Sequence, residues 1–269
     1  MHPTGLVNAT RVVTSLSLVF VFADSCFCQA NIRRISGTGQ AHGSVAVAVV
    51  RQDTIAVSAE SRTSTDGVVN PDTTCKMTIV HDIVFASTGL LWGRREQMGI
   101  VDYARSVLEG PGAREAKFQT FQEGTSRMLT AWLNQQPFRD SLRLSLDFRY
   151  RRSIQAMFCF FLGKKPIIVK YTFVPSWTGT QFKVSGIYDA GKRKPGEIIW
   201  MGLMEQTDSL LSKDSVFSKR VQRCGGLSAG QVLIEKQMEF TPRYVGGPID
   251  IAVVTPSGAA WIRKKQNCE

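Results

Sequence analysis

Histidine is scarce in this 269-residue chain: His2, His42 and His81 are too few and too scattered to build a metal centre. Cys75, Cys159, Cys224 and Cys268 show no metal-ligand spacing either, so no metal and no cofactor is expected. Acidic residues are also in deficit, 22 against 33 basic ones, for a formal charge of +11. Such an excess could serve an anionic partner, which would want one stripe of basic residues on one element. The basic clusters instead fall at Arg94-Arg95, Arg149 to Arg152, Lys164-Lys165, Lys192 to Lys194 and Arg263 to Lys265, without interleaved aromatics. No nucleic-acid partner is expected. There is no internal repeat, low-complexity tract or clear linker, and 43% hydrophobic with 20% charged residues is material for one large domain.

No apolar run reaches the length of about 20 residues that a membrane span needs. The nearest candidate, Val12 to Ala23, is interrupted by Thr14, Ser15 and Ser17 and is preceded by Arg11. With Cys28-Gln29-Ala30 as a small-x-small cleavage site, residues 1–30 read as a signal peptide and the mature chain as starting near Asn31. The expected location is therefore exported, periplasmic or extracellular, with no membrane association beyond the export signal. Four cysteines remain after removal of residues 1–30, a number compatible with disulfides in an oxidising compartment. Their pairing is open at this level; Cys159, inside the apolar run Ala156 to Leu162, reads as a buried thiol, and Cys268 could meet Cys224 if the fold allows.

Strand patterns dominate the start of the mature chain. Val45 to Val50 and Thr54 to Ala59 flank a polar Arg51-Gln52-Asp53 turn and read as a buried hairpin. Met77 to Val80 and Ile83 to Ser87 flank His81-Asp82 in the same way, ending at Gly89. Helical spacing follows in Ile100, Ala104, Val107 and Leu108, and again, beyond Gly110-Pro111-Gly112, in Phe118, Phe121, Met128, Leu129 and Trp132. Strands return at Ile154 to Leu162, Ile167 to Val174, Gln181 to Ser185 and Ile198 to Met204. One helix is expected over Asp208 to Arg223 and another over Ser228 to Phe240, before a last buried strand, Ile249 to Thr255, with a Pro256-Ser257-Gly258 turn behind it. Segregated blocks of strands and helices predict an α+β fold of stacked antiparallel sheets with helices outside.

Five passages resemble one family. Gly43-Ser44-Val45-Ala46-Val47-Ala48, then Ile55 to Arg62, then Cys75-Lys76 look like the opening of a mature proteasome β subunit, of the Ntn (N-terminal nucleophile) hydrolase superfamily. In that family an acid follows the nucleophile by sixteen places and a lysine by thirty-two; Glu60 and Lys76 stand at those distances from Ser44. Met201 to Glu205 and Gly246 to Thr255 are similar to later strand passages of the family, so the resemblance spans most of residues 43–262 and is thin between about 90 and 195. It implies a four-layer αββα sandwich over residues 44–269, a short propeptide-like segment at 31–43, and a peptidase or amidohydrolase acting on a peptide or small amide. A homo-oligomeric ring is implied by resemblance alone.

The chemistry implied is self-contained. Cleavage of Gly43-Ser44 would free Ser44 as an N-terminal residue, whose α-amino group titrates near about 7.7 and can take the hydroxyl proton itself. Lys76 would favour the unprotonated amine, Glu60 would hold Lys76, and backbone N–H groups near Gly89 would receive the oxyanion. The sequence departs from the family in having serine for threonine and glutamate for aspartate. In addition, Thr241-Pro242-Arg243-Tyr244-Val245 supplies neither of the aspartate and serine that support the amine there, with Pro242 and Val245 in those places. A further supporting serine would fall near Lys194-Pro195-Gly196, where no hydroxyl stands. A second reading follows from these departures: an inactive Ntn-fold binding or structural protein, never processed at Ser44.

Overall fold

A computed structural model describes residues 44–62, 64–65, 68–69, 75–89, 99–135, 154–242 and 245–265. The expected signal peptide, the segment 31–43 with Gly43, and Cys268 lie outside the described residues. Two antiparallel five-stranded sheets and five helices make up the described fold, which is α+β.

The first sheet is built around β1 (Val45–Val50) and β2 (Ile55–Glu60), joined through the Arg51 turn, where Arg51 N donates to Thr54 O at 2.7 Å. Both strands are buried over their whole length, which explains why their sequences run apolar without alternation. Along β1 the two faces separate by residue size. Ala46, Ala48 and Val50 face the second sheet, while Val45, Val47 and Val49 face helices. Strand order in this sheet is β10 (Ile198–Gly202), β1, β2, β11 (Ile249–Thr255) and β12 (Gly258–Arg263).

The second sheet runs β5 (Met77–Val80), β6 (Ile83–Gly89), β7 (Ile154–Leu162), β8 (Lys165–Trp177) and β9 (Phe182–Lys192). Its inner face places Val84, Ala86, Met157, Cys159 and Ile168 against the first sheet. The outer face is aromatic: Phe85, Phe158, Tyr171 and Phe173 pack on α1 (Ile100–Glu109) and α2 (Arg114–Gln135), with Phe121 of α2 edge-on to Phe158 at 5.0 Å between ring centroids. A separate two-stranded ribbon pairs β3 (Ser64–Thr65) with β4 (Val68–Val69).

Helices α3 (Glu205–Lys213), α4 (Ser215–Arg223) and α5 (Gly226–Phe240) cover the outer face of the first sheet. At Gly230 a Cβ would come within 2.6 Å of Ser58 Oγ, so the absence of a side chain lets α5 lie directly on β2. Helix layers therefore lie on both outer faces of the stacked sheets.

Three sequence expectations are corrected. The single helix expected over Asp208 to Arg223 is two, because Asp214 leaves helical geometry and its Oδ1 accepts from Val216 N at 2.8 Å and Phe217 N at 3.0 Å, capping α4. The strand expected to end at Ser185 continues to Lys192, held by a ladder to β8 that outweighs the weak strand preference of Gly186 and Gly191. Beyond the Pro256 turn the chain forms β12, half-exposed along much of its length and therefore without a buried apolar run to betray it. Cys159 is fully buried and Cys224 half-buried, both with free thiols, so Cys224 is not paired with Cys268. Cys75 is disulfide-bonded.

Candidate functional site

Ser44 precedes β1 and is 3% exposed; its carbonyl accepts from Leu203 N at 3.1 Å, just past the end of β10. The strand neighbours fix the rest. Val45 pairs with Gly202, and the β1–β2 hairpin brings the end of β2 back alongside the start of β1. Glu60, the last residue of β2, thereby comes to lie beside the backbone that follows Ser44: its Oε1 accepts from Val45 N at 3.1 Å. The same oxygen accepts from Lys76 Nζ at 2.5 Å. Lys76 arrives from the second sheet, immediately before β5, where its carbonyl accepts from Ser87 N at 2.8 Å. Glu60 and Lys76 are both essentially inaccessible to solvent.

The second Glu60 oxygen is equally engaged. Oε2 accepts from Arg62 N at 2.8 Å and from Gly246 N at 3.2 Å, so one carboxylate ties together β1, the exit of β2, the start of β5 and the loop before β11. Lys76 Nζ also donates to Arg62 O at 2.7 Å. Burial drives the Lys76 ammonium below its ordinary value of 10.5; the Glu60 carboxylate opposes this, Arg62 adds to it, and Asp250 again opposes it.

Asp250 and Lys265 enlarge the cluster, and neither was singled out by sequence reasoning. Asp250, on β11 opposite Ala59, is 2% exposed; its Oδ1 accepts from Lys265 N at 2.9 Å and its Oδ2 lies 3.6 Å from Lys265 Nζ. Lys265 is itself lowered, by burial first, with Asp250 opposing and Lys76 reinforcing the shift. Lys265 reads in sequence as one member of a basic surface cluster. Only the return of β12 along β11 places it next to a buried acid.

Gly89 ends β6 with φ 99, a conformation that favours glycine, and pairs with Ile154. It belongs to the same end of the molecule as Ser44 through a short relay. Thr88 pairs with Gln155, whose Oε1 crosses between the sheets to accept from Gly202 N at 2.9 Å. Gly202, at φ 85, is packed so closely that a Cβ there would sit 1.7 Å from Ser44 O and 3.4 Å from Thr88 Cβ. Thr88 is 1% exposed, and its hydroxyl, like that of Ser87, has no hydrogen-bond partner among the described residues.

The loop before β11 differs from a polar support. Val245 is fully buried in the apolar cluster shared with Val45 and Val47, and Pro242 contributes its carbonyl, which accepts from Arg62 Nη1. The Arg62 guanidinium lies over Gly246, where a Cβ would meet it at 2.4 Å. Lys194-Pro195-Gly196, the place expected for a further supporting hydroxyl, is at the opposite end of β1: Gly196 N donates to Val50 O at 2.9 Å. Six residues of strand put that turn about 20 Å from Ser44. Thr88, near the end of β6, is the hydroxyl residue that packs, like Ser44, against Gly202.

Ser44, Glu60, Lys76 and Gly89 thus gather at one end of the stacked sheets, while Gly43 lies outside the described residues. Among the described residues no group of three His, Cys, Asp or Glu side chains is placed to hold a metal ion. What the arrangement offers chemically is a buried amine whose carboxylate partner also holds the backbone N–H of the residue after Ser44, with Gly89 at the end of the neighbouring strand β6. No family model matches the chain, and no curated protein matches it.

Proposed function

We propose that the chain is an exported proteasome-like Ntn hydrolase, a peptidase or amidohydrolase that acts through Ser44 after cleavage of Gly43-Ser44. The single observation that carries this reading is the shared Glu60 Oε1, which accepts from Lys76 Nζ and from the backbone N–H of the residue after Ser44. A buried lysine whose proton is loosened by desolvation, held by a carboxylate beside a serine backbone, suits a site that must keep a nearby amine unprotonated. Freed by cleavage, the Ser44 amine would take the hydroxyl proton as the oxygen attacks an amide carbonyl, and would return it to the departing amine. Water would then release the acyl group by the same route. The N–H groups around Gly89 would stabilise the oxyanion.

The layered arrangement of helices, two antiparallel sheets and helices is compatible with an Ntn hydrolase fold, and the disulfide at Cys75 is compatible with export. Substrates would be peptides, small amides or already unfolded chains, with assembly into a homo-oligomeric ring as part of the same reading. One observation favours the alternative of an inactive binding or structural protein. Val245 is fully buried in apolar surroundings at the position where the resemblance calls for a polar support.

Intact mass and N-terminal sequencing of the mature protein separate the two. A chain starting at Ser44, with processing blocked by Ser44→Ala, supports the hydrolase. A mature chain that keeps Gly43-Ser44 intact sinks it.

A further inference from the structure

Sheet edges expose rows of backbone donors and acceptors, and proteins cover or blunt them because any extended chain can pair there. Strand β9 is the edge of the second sheet, and half of it is covered in an instructive way. Asn134 of α2 meets Phe182 with both amide atoms: Nδ2 donates to Phe182 O at 2.9 Å and Oδ1 accepts from Phe182 N at 2.8 Å. Thr130 Oγ1 accepts from Val184 N at 2.9 Å, and Gln122 Nε2 donates to Gly186 O at 2.7 Å. Side chains of one helix thus take both outward backbone groups of Phe182, the N–H of Val184 and the C=O of Gly186, much as a neighbouring strand would.

Outward groups recur every second residue, about 6.8 Å apart, so the next ones belong to Tyr188 and Ala190. None of the described residues bonds them. Beside this open stretch, Ile187 is 61% and Tyr188 64% exposed, one large apolar side chain on each face of the strand. At its far end the fold brings together two basic clusters that are separate in sequence. Lys192 pairs with Ile167, Arg193 N donates to Pro166 O at 3.0 Å, and the adjoining β7–β8 connection carries Lys164 in its turn and Lys165 as the first residue of β8. Lys164, Lys165, Lys192 and Lys194 are all exposed. Asp189 is the acidic residue of this edge, and it is engaged by Arg193 Nη2 at 2.8 Å.

We infer that the open half of β9, Tyr188 to Lys192, is a docking edge for an extended acidic peptide segment of a partner protein. The peptide adds as a further antiparallel or parallel strand, its backbone bonding Tyr188 and Ala190, an apolar side chain covering Ile187 or Tyr188, and its carboxylates meeting the lysines at the strand end. A nucleic acid or anionic membrane would use the lysines but has no use for strand-spaced N–H and C=O groups beside an apolar pair. This inference stands apart from the Ser44 reading, since β9 takes no part in that site.

The test uses the full chain and a fluorescein-labelled peptide of alternating valine and glutamate, with a valine–lysine peptide as control. Fluorescence anisotropy is expected to show saturable binding of the glutamate peptide alone, with slowed hydrogen exchange at the Tyr188 and Ala190 amides. Ala190→Pro removes an outward N–H at an edge, where proline is tolerated, and should weaken binding about tenfold or more. Lys192→Glu with Lys194→Glu, which leaves the backbone intact, should weaken it similarly and guards against misfolding of the proline variant. The inference is overturned if the two amides are not protected, if neither variant weakens binding, or if an RNA oligonucleotide or phosphatidylserine vesicle binds this edge and the peptide does not. A dimer that Ala190→Pro dissolves would also overturn it, by assigning the edge to a second copy.

Discussion

Glu60 is expected to matter far more to folding than the lysine it pairs with, and a two-residue cycle makes this measurable. In Lys76→Met the buried ammonium is replaced by an apolar side chain of similar length. The carboxylate left behind still accepts from Val45, Arg62 and Gly246, three backbone donors that continue to satisfy both of its oxygens. Part of the lost attraction is offset because the ammonium no longer has to be desolvated, so the expected cost is about 1–3 kcal/mol. In Glu60→Ala the balance is different. Lys76 keeps only a carbonyl partner, Arg62 O, and breaking a buried pair from this side costs about 3–5 kcal/mol. Arg62 N retains Gly246 O at 2.9 Å, but Val45 N and Gly246 N lose their acceptor, at about 1–3 kcal/mol each.

The sum approaches the whole stability of an ordinary domain, about 5–15 kcal/mol, so Glu60→Ala should be largely unfolded at 25 °C or nearly so. The double variant should recover part of the loss, because removing Lys76 also removes its uncompensated charge. Urea unfolding followed by tryptophan fluorescence and circular dichroism gives all three values. If Lys76→Met costs as much as Glu60→Ala, or the double variant is no better than Glu60→Ala, the view of Glu60 as the hub is wrong.

Gly202→Ala should lower the thermal midpoint sharply, by about 3 kcal/mol or more in stability, since φ 85 is strained for alanine and its Cβ would strike the Ser44 carbonyl. Gly163→Ala, at φ 61 with nothing within 4 Å, is the control and should cost only the backbone strain, about 1–2 kcal/mol. Alkaline stability should depend on Tyr171, whose phenol is pushed up to about 12 by burial and secondarily by Tyr188. Between its ordinary value of 10.0 and that point the unfolded chain releases a proton that the folded chain retains, so stability falls as pH rises through this window. Urea midpoints measured across it should fall less steeply for Tyr171→Phe than for the parent chain, and equal slopes would refute the assignment.

How much of this was legible in the sequence depended on the range over which each contact acts. The β1–β2 hairpin was plain because both strands are buried on both faces and their turn is short, and a short hairpin fixes which residues face each other. That is why the interval from Ser44 to Glu60 carried structural meaning. Lys76 needed more, a return from another sheet, and its place was read from resemblance and not from pattern. Asp250 and Lys265 were illegible for a similar reason: nothing local marks a buried acid in an otherwise apolar strand, and Lys265 sits among exposed bases until β12 folds back. The Asp214 break was open to sequence reasoning, since aspartate before a serine is an N-cap signal, but the apolar spacing on either side masked it. In β9 the misleading feature was glycine. Gly186 and Gly191 weaken strand preference locally, while an eleven-residue ladder to β8 and the side chains of α2 decide the outcome.

A buried lysine–glutamate pair is a poor way to stabilise a protein, because well-packed apolar residues of the same volume are often as good or better. The pair at the head of β1 therefore invites another explanation than stability. Its geometry supplies one: the carboxylate does not merely neutralise Lys76, it fixes the backbone of Val45, and so the position of Ser44, against β10 and the inner end of β6. Near that serine the fold leaves Thr88 buried, with no bond to its hydroxyl among the described residues, and a glycine at Gly202 so tight that no side chain fits. Each of these features costs stability on its own, and all of them converge on one residue. Costs that converge in this way are what a preorganised site requires, whereas a purely structural sandwich has no reason to concentrate them at the first residue of a strand. On this argument the apolar packing of Val245 limits the polar support available at that end of β1, and the Glu60 hub sets where the chain is held.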